Sequence, residues 1–179
     1  ARFAKGAMAP KGTMYHLNGS SPPGDLSEAV CKGIRHVCHA MLHTPGPLIG
    51  VGGIRLLARQ MRRWPRKLGA RKTRLYTGQV IRMQEELGTG GAGFRFMYAA
   101  FLQEAAEILN QPLFRSLAEE MTAAGDRWRD FAVMAARNCK GRADTDTESF
   151  DAMAAILREC AGREEAVYRQ LLAALKRLY

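Results

Sequence analysis

The sequence has no acidic residue between Glu28 and Glu85. That gap holds 12 basic residues: Lys32, Arg35, Arg55, Arg59, Arg62, Arg63, Arg66, Lys67, Arg71, Lys72, Arg74 and Arg82. Elsewhere 15 basic residues face 17 acidic ones, so the net charge of +10 sits in one segment of a near-neutral chain. Such a segment makes a local positive field that steers anionic partners: nucleic acid, an acidic protein or a phosphorylated ligand. Long apolar runs are also missing. Each is broken by Arg, Lys or Gly, which excludes a membrane span, and no continuous apolar leader is visible. Only four cysteines occur, Cys31, Cys38, Cys139 and Cys160, and none forms a Cys-x-x-Cys pair. They read as reduced thiols of a cytoplasmic protein. No stretch alternates apolar and polar residues as a half-buried strand would, and no internal repeat stands out.

What is present is helical periodicity, over a length that suffices for one domain with a real core. Residues 1–24 are rich in Gly, Pro, Ser and Asn and read as an interdomain linker or arm; residues 25–179 read as the helical domain. Asp25 or Ser27 caps a first helix reaching about His43, with Val30, Ile34, Val37 and Met41 as its buried stripe. A second helix runs from about Gly53 to Trp64, with Ile54, Leu57, Ala58 and Met61 inward. Arg55, Arg59 and Arg62 lie on its other side with Arg63 beside them, a coherent basic face. The third covers roughly 71–87, anchored by Leu75, Val80, Ile81 and Leu87. The fourth follows a glycine loop, with Phe94, Met97, Tyr98, Phe101, Leu102, Ala105, Ile108 and Leu109 at 3–4 spacing. The fifth begins at Pro112 and ends near Asn138, with Gly125 costing about 1 kcal/mol relative to Ala inside it. Thr147 caps the last, whose heptad-like stripe is Phe150, Met153, Leu157, Cys160, Glu164, Leu171, Leu175 and Leu178. The expected fold is an all-α compact bundle of about six helices.

Gly88-Thr89-Gly90-Gly91-Ala92-Gly93 matches G-x-G-x-x-G, the dinucleotide-binding fingerprint. That fingerprint works only between a strand and a helix of a parallel sheet. Here "YTGQVIRMQEEL" precedes it, and Gln, Arg, Met and paired Glu favour helix. The loop therefore reads as a helix–helix turn, with Gly88 at a positive-φ cap. Four glycines in six residues exceed what a turn needs, which points to tight packing or close approach of a ligand.

The stretch "GTGGAGFRFMYAAFLQEAAEIL" resembles an uncharacterised helical domain that follows the N-terminal domain of butirosin biosynthesis protein H-like proteins. "AVCKGIRHVCHAMLHTPGPLIGVGGIRLLARQMRRWP" resembles that domain's opening, and "ARFAKGAMAPKGTMYHL" the segment joining the two domains. The positions that carry the likeness are Gly88, Thr89, Gly90, Gly91, Phe94, Arg95, Met97, Tyr98, Phe101, Leu102, Glu104, Ala105 and Ala106. The resemblance implies an acyltransferase-like full-length protein. In it, a papain-like domain with a cysteine nucleophile takes an acyl group from an acyl carrier protein and gives it to an amine. It also implies that Ala1 falls at the interdomain joint of a longer protein, the alternative being a true N-terminus left by removal of an initiator Met. No catalytic residue of that domain falls within these residues, so no catalytic residue, cofactor or metal site is assigned.

Two candidate sites follow. The first is the family motif, a tight junction or a pocket: Gly88, Thr89, Gly90, Gly91, Phe94, Arg95, Tyr98 and Glu104. Arg95 has a structural reading, which is preferred, in which it ties the loop's carbonyls or pairs with a carboxylate on another helix, and a functional one in which it lines a polar pocket with Tyr98. The second is the basic face, Arg55, Arg59, Arg62, Arg63, Arg66 and Lys67. It reads as a docking surface for an acyl carrier protein, as a nucleic-acid surface, or as a face that is solvated or covered by the N-terminal domain. No helix-turn-helix or zinc spacing supports nucleic acid. Candidate partners are the N-terminal domain of the same protein, an acyl carrier protein and a second copy of the chain; nucleic acid and membrane are not expected. His36, His39 and His43 share one face of the first helix, opposite its buried stripe, and read as solvated.

Overall fold

The computed structural model describes residues 24–46, 48–88, 90–143 and 148–178. Residues 1–23, Thr89 and the Thr147 cap lie outside the described residues. Among the described residues six α-helices and one 3-10 turn follow in order: α1 (Leu26–His43), α2 (Gly50–Met61), α3 (Trp64–Glu85), the turn Ala92–Phe94, α4 (Arg95–Ile108), α5 (Leu113–Cys139) and α6 (Phe150–Leu178). Among the described residues there is no strand, and no helix is long and apolar enough to cross a membrane. The all-α bundle expected from periodicity is the fold.

Local signals set the ends. Asp25 caps α1: its Oδ1 accepts from the Ser27 amide at 2.8 Å and the Glu28 amide at 3.4 Å. Such a cap contributes about 1 kcal/mol. Ser149 caps α6, its Oγ accepting from the Ala152 amide at 3.2 Å. Pro112 stands at the N-cap of α5 rather than in its first turn. Gly50, with φ +62, opens α2 three residues before its predicted start, because the chain passes directly over the Met41 carbonyl there. A side chain at Gly50 has no room.

The core gathers around α6, which packs on α5, α2 and α1, while α4 packs on α5. Trp128, Phe114, Phe131, Ile34, Met61, Leu102, Leu157 and Leu171 are fully buried within it. Gly125 is buried as well, and a Cβ there would lie 2.7 Å from the Phe96 ring. The glycine is thus required by the α4–α5 contact, whatever it costs in helix propensity.

Three predicted details change. α2 ends at Met61, Arg62 and Arg63 form a turn before Trp64 opens α3, and α3 kinks at Gly69 (φ +72, ψ 167), just before the predicted start near residue 71. Leu75 and Leu87, predicted anchors of α3, are 66% and 52% exposed; the helix buries Thr73 and Thr77 instead. Phe94 and Met97, counted in the stripe of α4, face outward at 52% and 59%.

Candidate functional site

The glycine loop is a locked junction. Gly88, Gly90, Gly91, Ala92, Gly93 and Phe94 all have positive φ. For Ala92 and Phe94 this is strained backbone, costing about 1–3 kcal/mol each. Neighbouring side chains hold it in place. Glu85 Oε1 accepts from the Ala92 amide at 3.1 Å. Arg95 Nη1 donates to the carbonyls of Ala92 at 3.3 Å and Gly93 at 3.2 Å, and to Gln84 Oε1 at 3.3 Å. Among the described residues a Cβ at Gly88 or Gly90 would meet nothing within 4 Å, so what calls for glycine there is the positive φ of +73 and +68. A Cβ at Gly91 would lie 3.1 Å from Glu85 Oε2, and one at Gly93 would fall on Gln84 and Arg95. The space these glycines leave is taken by the chain's own side chains.

Arg95 reaches further, into the core. Its Nε and Nη2 donate to Glu164 Oε1 and Oε2 at 3.0 and 3.1 Å, a bidentate pair. Trp128 Nε1 donates to the same Oε1 at 2.7 Å, and the guanidinium lies 4.6 Å from the Trp128 ring centroid. The Glu164 side chain is fully buried and that of Arg95 is 11% exposed. Arg95 thus makes both contacts that the structural reading offered as alternatives, the loop carbonyls and a carboxylate on another helix. Glu164 and Trp128 were not singled out from sequence. The signal was there: Glu164 is a carboxylate within the apolar stripe of α6, and a buried charge demands a partner.

Tyr98 and Phe94 line an open cleft of about 320 Å³ with Val37, Met41, Arg95 and Tyr168. The Tyr98 hydroxyl is buried with no partner in ordinary hydrogen-bond geometry, and its polar neighbour is the Cys38 thiol. Burial pushes the Cys38 thiol up to about 12 and drives the Tyr98 and Tyr168 phenols upward too. Cys38 is a neutral thiol at physiological pH, so it is no nucleophile. His36, His39 and His43 are exposed on α1, away from buried Cys31 and Cys38. Glu104 is separate from this site: it is exposed further along α4, beside Glu107 and Arg115.

The basic face divides in two. Arg55 is ion-paired with Glu165 of α6, and Arg62 with Asp151 at the start of α6. Hydrogen bonds from Arg169 and then Arg55 hold the Glu165 carboxyl below its ordinary range. Arg59, Arg63, Arg66 and Lys67 are exposed and have no ion pair among the described residues. Arg59, Arg62, Arg63 and Arg66 line an open cleft of about 400 Å³ with Asp151. Lys67 lies outside that lining. Among the described residues, no group of three His, Cys, Asp or Glu side chains is arranged to hold a metal ion.

A family model described as "Domain of unknown function (DUF4872)" matches residues 1–171. No curated protein and no solved structure matches the chain.

Proposed function

The chain belongs to the DUF4872 family, and on that premise we propose that it is an accessory helical domain that docks an acidic protein through its arginine face. The observation that carries this reading is the cluster Arg59, Arg63, Arg66 and Lys67, without an ion pair among the described residues and set in a segment without a single carboxylate. Exposed cations that no internal partner neutralises raise association rates with an anionic surface and supply charge-assisted bonds on contact. The partner we propose is an acyl carrier protein. The resemblance of the Gly88–Ala106 segment to butirosin biosynthesis protein H-like proteins supports it. In such a protein this domain would brace a cysteine-dependent acyltransferase domain and present its carrier, without carrying the reacting groups itself. Four free cysteines suit a cytoplasmic setting.

The test is binding of a carrier protein and of random-sequence DNA at two salt concentrations. The reading expects carrier binding that weakens with salt and is lost in Arg59→Glu/Arg63→Glu. Tight DNA binding with a steep salt slope and no carrier binding would replace it with a nucleic-acid module.

A further inference from the structure

We infer that the cleft formed by Arg59, Arg62, Arg63 and Arg66 is a seat for a phosphate monoester, a tetrahedral dianion presented by a larger molecule. The inference rests on the reading of this face as a docking surface and names the anion it favours, which is distinct from the singly charged phosphodiester that joins a phosphopantetheine arm to its carrier.

The first support is how the cluster is made. Positions 59, 62, 63 and 66 follow the i, i+3, i+4, i+7 spacing of one helical face. α2 breaks at Met61, yet Arg62 (φ −55, ψ −28) and Arg63 (φ −94, ψ −16) keep right-handed helical backbone through the turn. The four side chains therefore line one cleft although they come from two helices and a turn. The second is charge. Many arginines elsewhere have carboxylates: Arg95 pairs with Glu164, Arg127 with Glu159 and Asp130, Arg137 with Glu148, and Arg169 with Glu165; those without an ion pair among the described residues, such as Arg71 and Arg158, do not share a cleft with three other arginines. Among the described residues the four cations of the cleft meet one carboxylate, Asp151, which already accepts from Arg62 Nε. Holding like charges together without an anion is unfavourable, and a dianion relieves more of that repulsion than a carboxylate does. The third is shape and lining. Guanidinium forks match phosphate oxygens in pairs, and no apolar side chain lines the cleft, so nothing in it selects an acyl or aromatic group. An open volume of about 400 Å³ leaves space for the rest of an ester beyond its phosphoryl group.

Phenyl phosphate and acetate, titrated at matched ionic strength into the full 15N-labelled chain, test this through the arginine Nε–Hε resonances. Saturable shifts of the four cleft arginines are expected, with phenyl phosphate binding at least about tenfold tighter than acetate. Arg63→Gln and Arg59→Gln should each weaken phenyl phosphate about tenfold, Asp151→Asn should tighten it, and Arg71→Gln should leave it unchanged. Equal binding of the two anions, or equal losses in Arg71→Gln and Arg63→Gln, would reduce the cleft to a diffuse positive surface and overturn the inference. An acyl carrier protein without its phosphopantetheine arm separates this inference from the docking reading. If that carrier binds through Arg63 while phenyl phosphate does not, the seat is wrong and docking survives. If phenyl phosphate binds and the armless carrier does not, the seat stands and protein docking falls.

Discussion

At the scale of single residues, the Arg95–Glu164–Trp128 cluster holds three parts of the molecule together. Glu164 accepts three hydrogen bonds, from Arg95 twice and Trp128 once, and Arg95 passes the connection on to the carbonyls of the glycine loop. Removing one partner strands a buried charge, so Arg95→Met should cost about 3 kcal/mol. For a domain of this size that lowers the thermal midpoint by roughly 6–12 °C. An unchanged midpoint would show that the cluster carries no structural weight. Thr77 offers a change of opposite sign. Its hydroxyl is buried on α3 without a partner, so Thr77→Val should raise stability by about 1 kcal/mol, read as a higher urea midpoint at unchanged slope. Thiol labelling separates the cysteines. Burial pushes Cys160, like Cys38, up to about 12, while Cys139 is only partly buried. Iodoacetamide at pH 8 should therefore modify Cys139 first in the native chain, and prior loss of Cys38 would contradict the packing around Tyr98.

At the scale of elements, helices with a clean apolar stripe were legible and the polar one was not. In α5 and α6 the apolar stripes show in the sequence: Leu117, Met121, Trp128 and Phe131, and Met153, Leu157, Leu171 and Leu175, recur at helical spacing and are all buried, whereas Leu113, at the start of the α5 stripe, is exposed. α3 misled because its leucines share a face with cations. Burying Leu75 would carry Arg71, four residues before it, and Arg82, seven after it, toward α5. Turning Thr73, Thr77, Val80 and Ile81 inward leaves every cation of α3 in water, at the cost of two unpartnered hydroxyls. The glycine loop was legible as a junction, and what fills it was not. Gln84, Glu85 and Arg95 lie beside the loop in sequence, but Glu164 is 69 residues from Arg95 and only packing brings it there. Ion pairs between elements give a pH dependence. The Glu159 and Glu165 carboxyls are held below the ordinary value of 4.5, Glu159 chiefly by Arg127 and Glu165 chiefly by Arg169. A carboxyl with a depressed folded-state pKa contributes stability that is complete above its unfolded value and is lost as pH falls through its folded value. The urea midpoint should therefore hold near pH 6 and decline below about pH 4.5. An unchanged midpoint at pH 3.5 would show that these pairs do not stabilise the fold.

At the scale of the whole molecule, the charge is asymmetric by design of the sequence and stays so in the fold. Most arginines of α5 and α6, among them Arg127, Arg137, Arg163 and Arg169, have carboxylates beside them, whereas Arg59, Arg63, Arg66 and Lys67, around the α2–α3 turn, have none among the described residues. The basic segment was visible in the sequence as a gap in acidic residues. Its division into a braced half, Arg55 and Arg62 against α6, and an unpaired half was not, because it depends on where α6 places Glu165 and Asp151. The most direct test of the docking account is chemical-shift mapping of the labelled domain during titration with an acyl carrier protein at low salt. The account predicts perturbations centred on residues 59–67 and erased by Arg59→Glu/Arg63→Glu. Perturbations centred instead on the exposed side of α3 around Tyr76 and Met83, with the arginine resonances of the cleft unmoved, would contradict it.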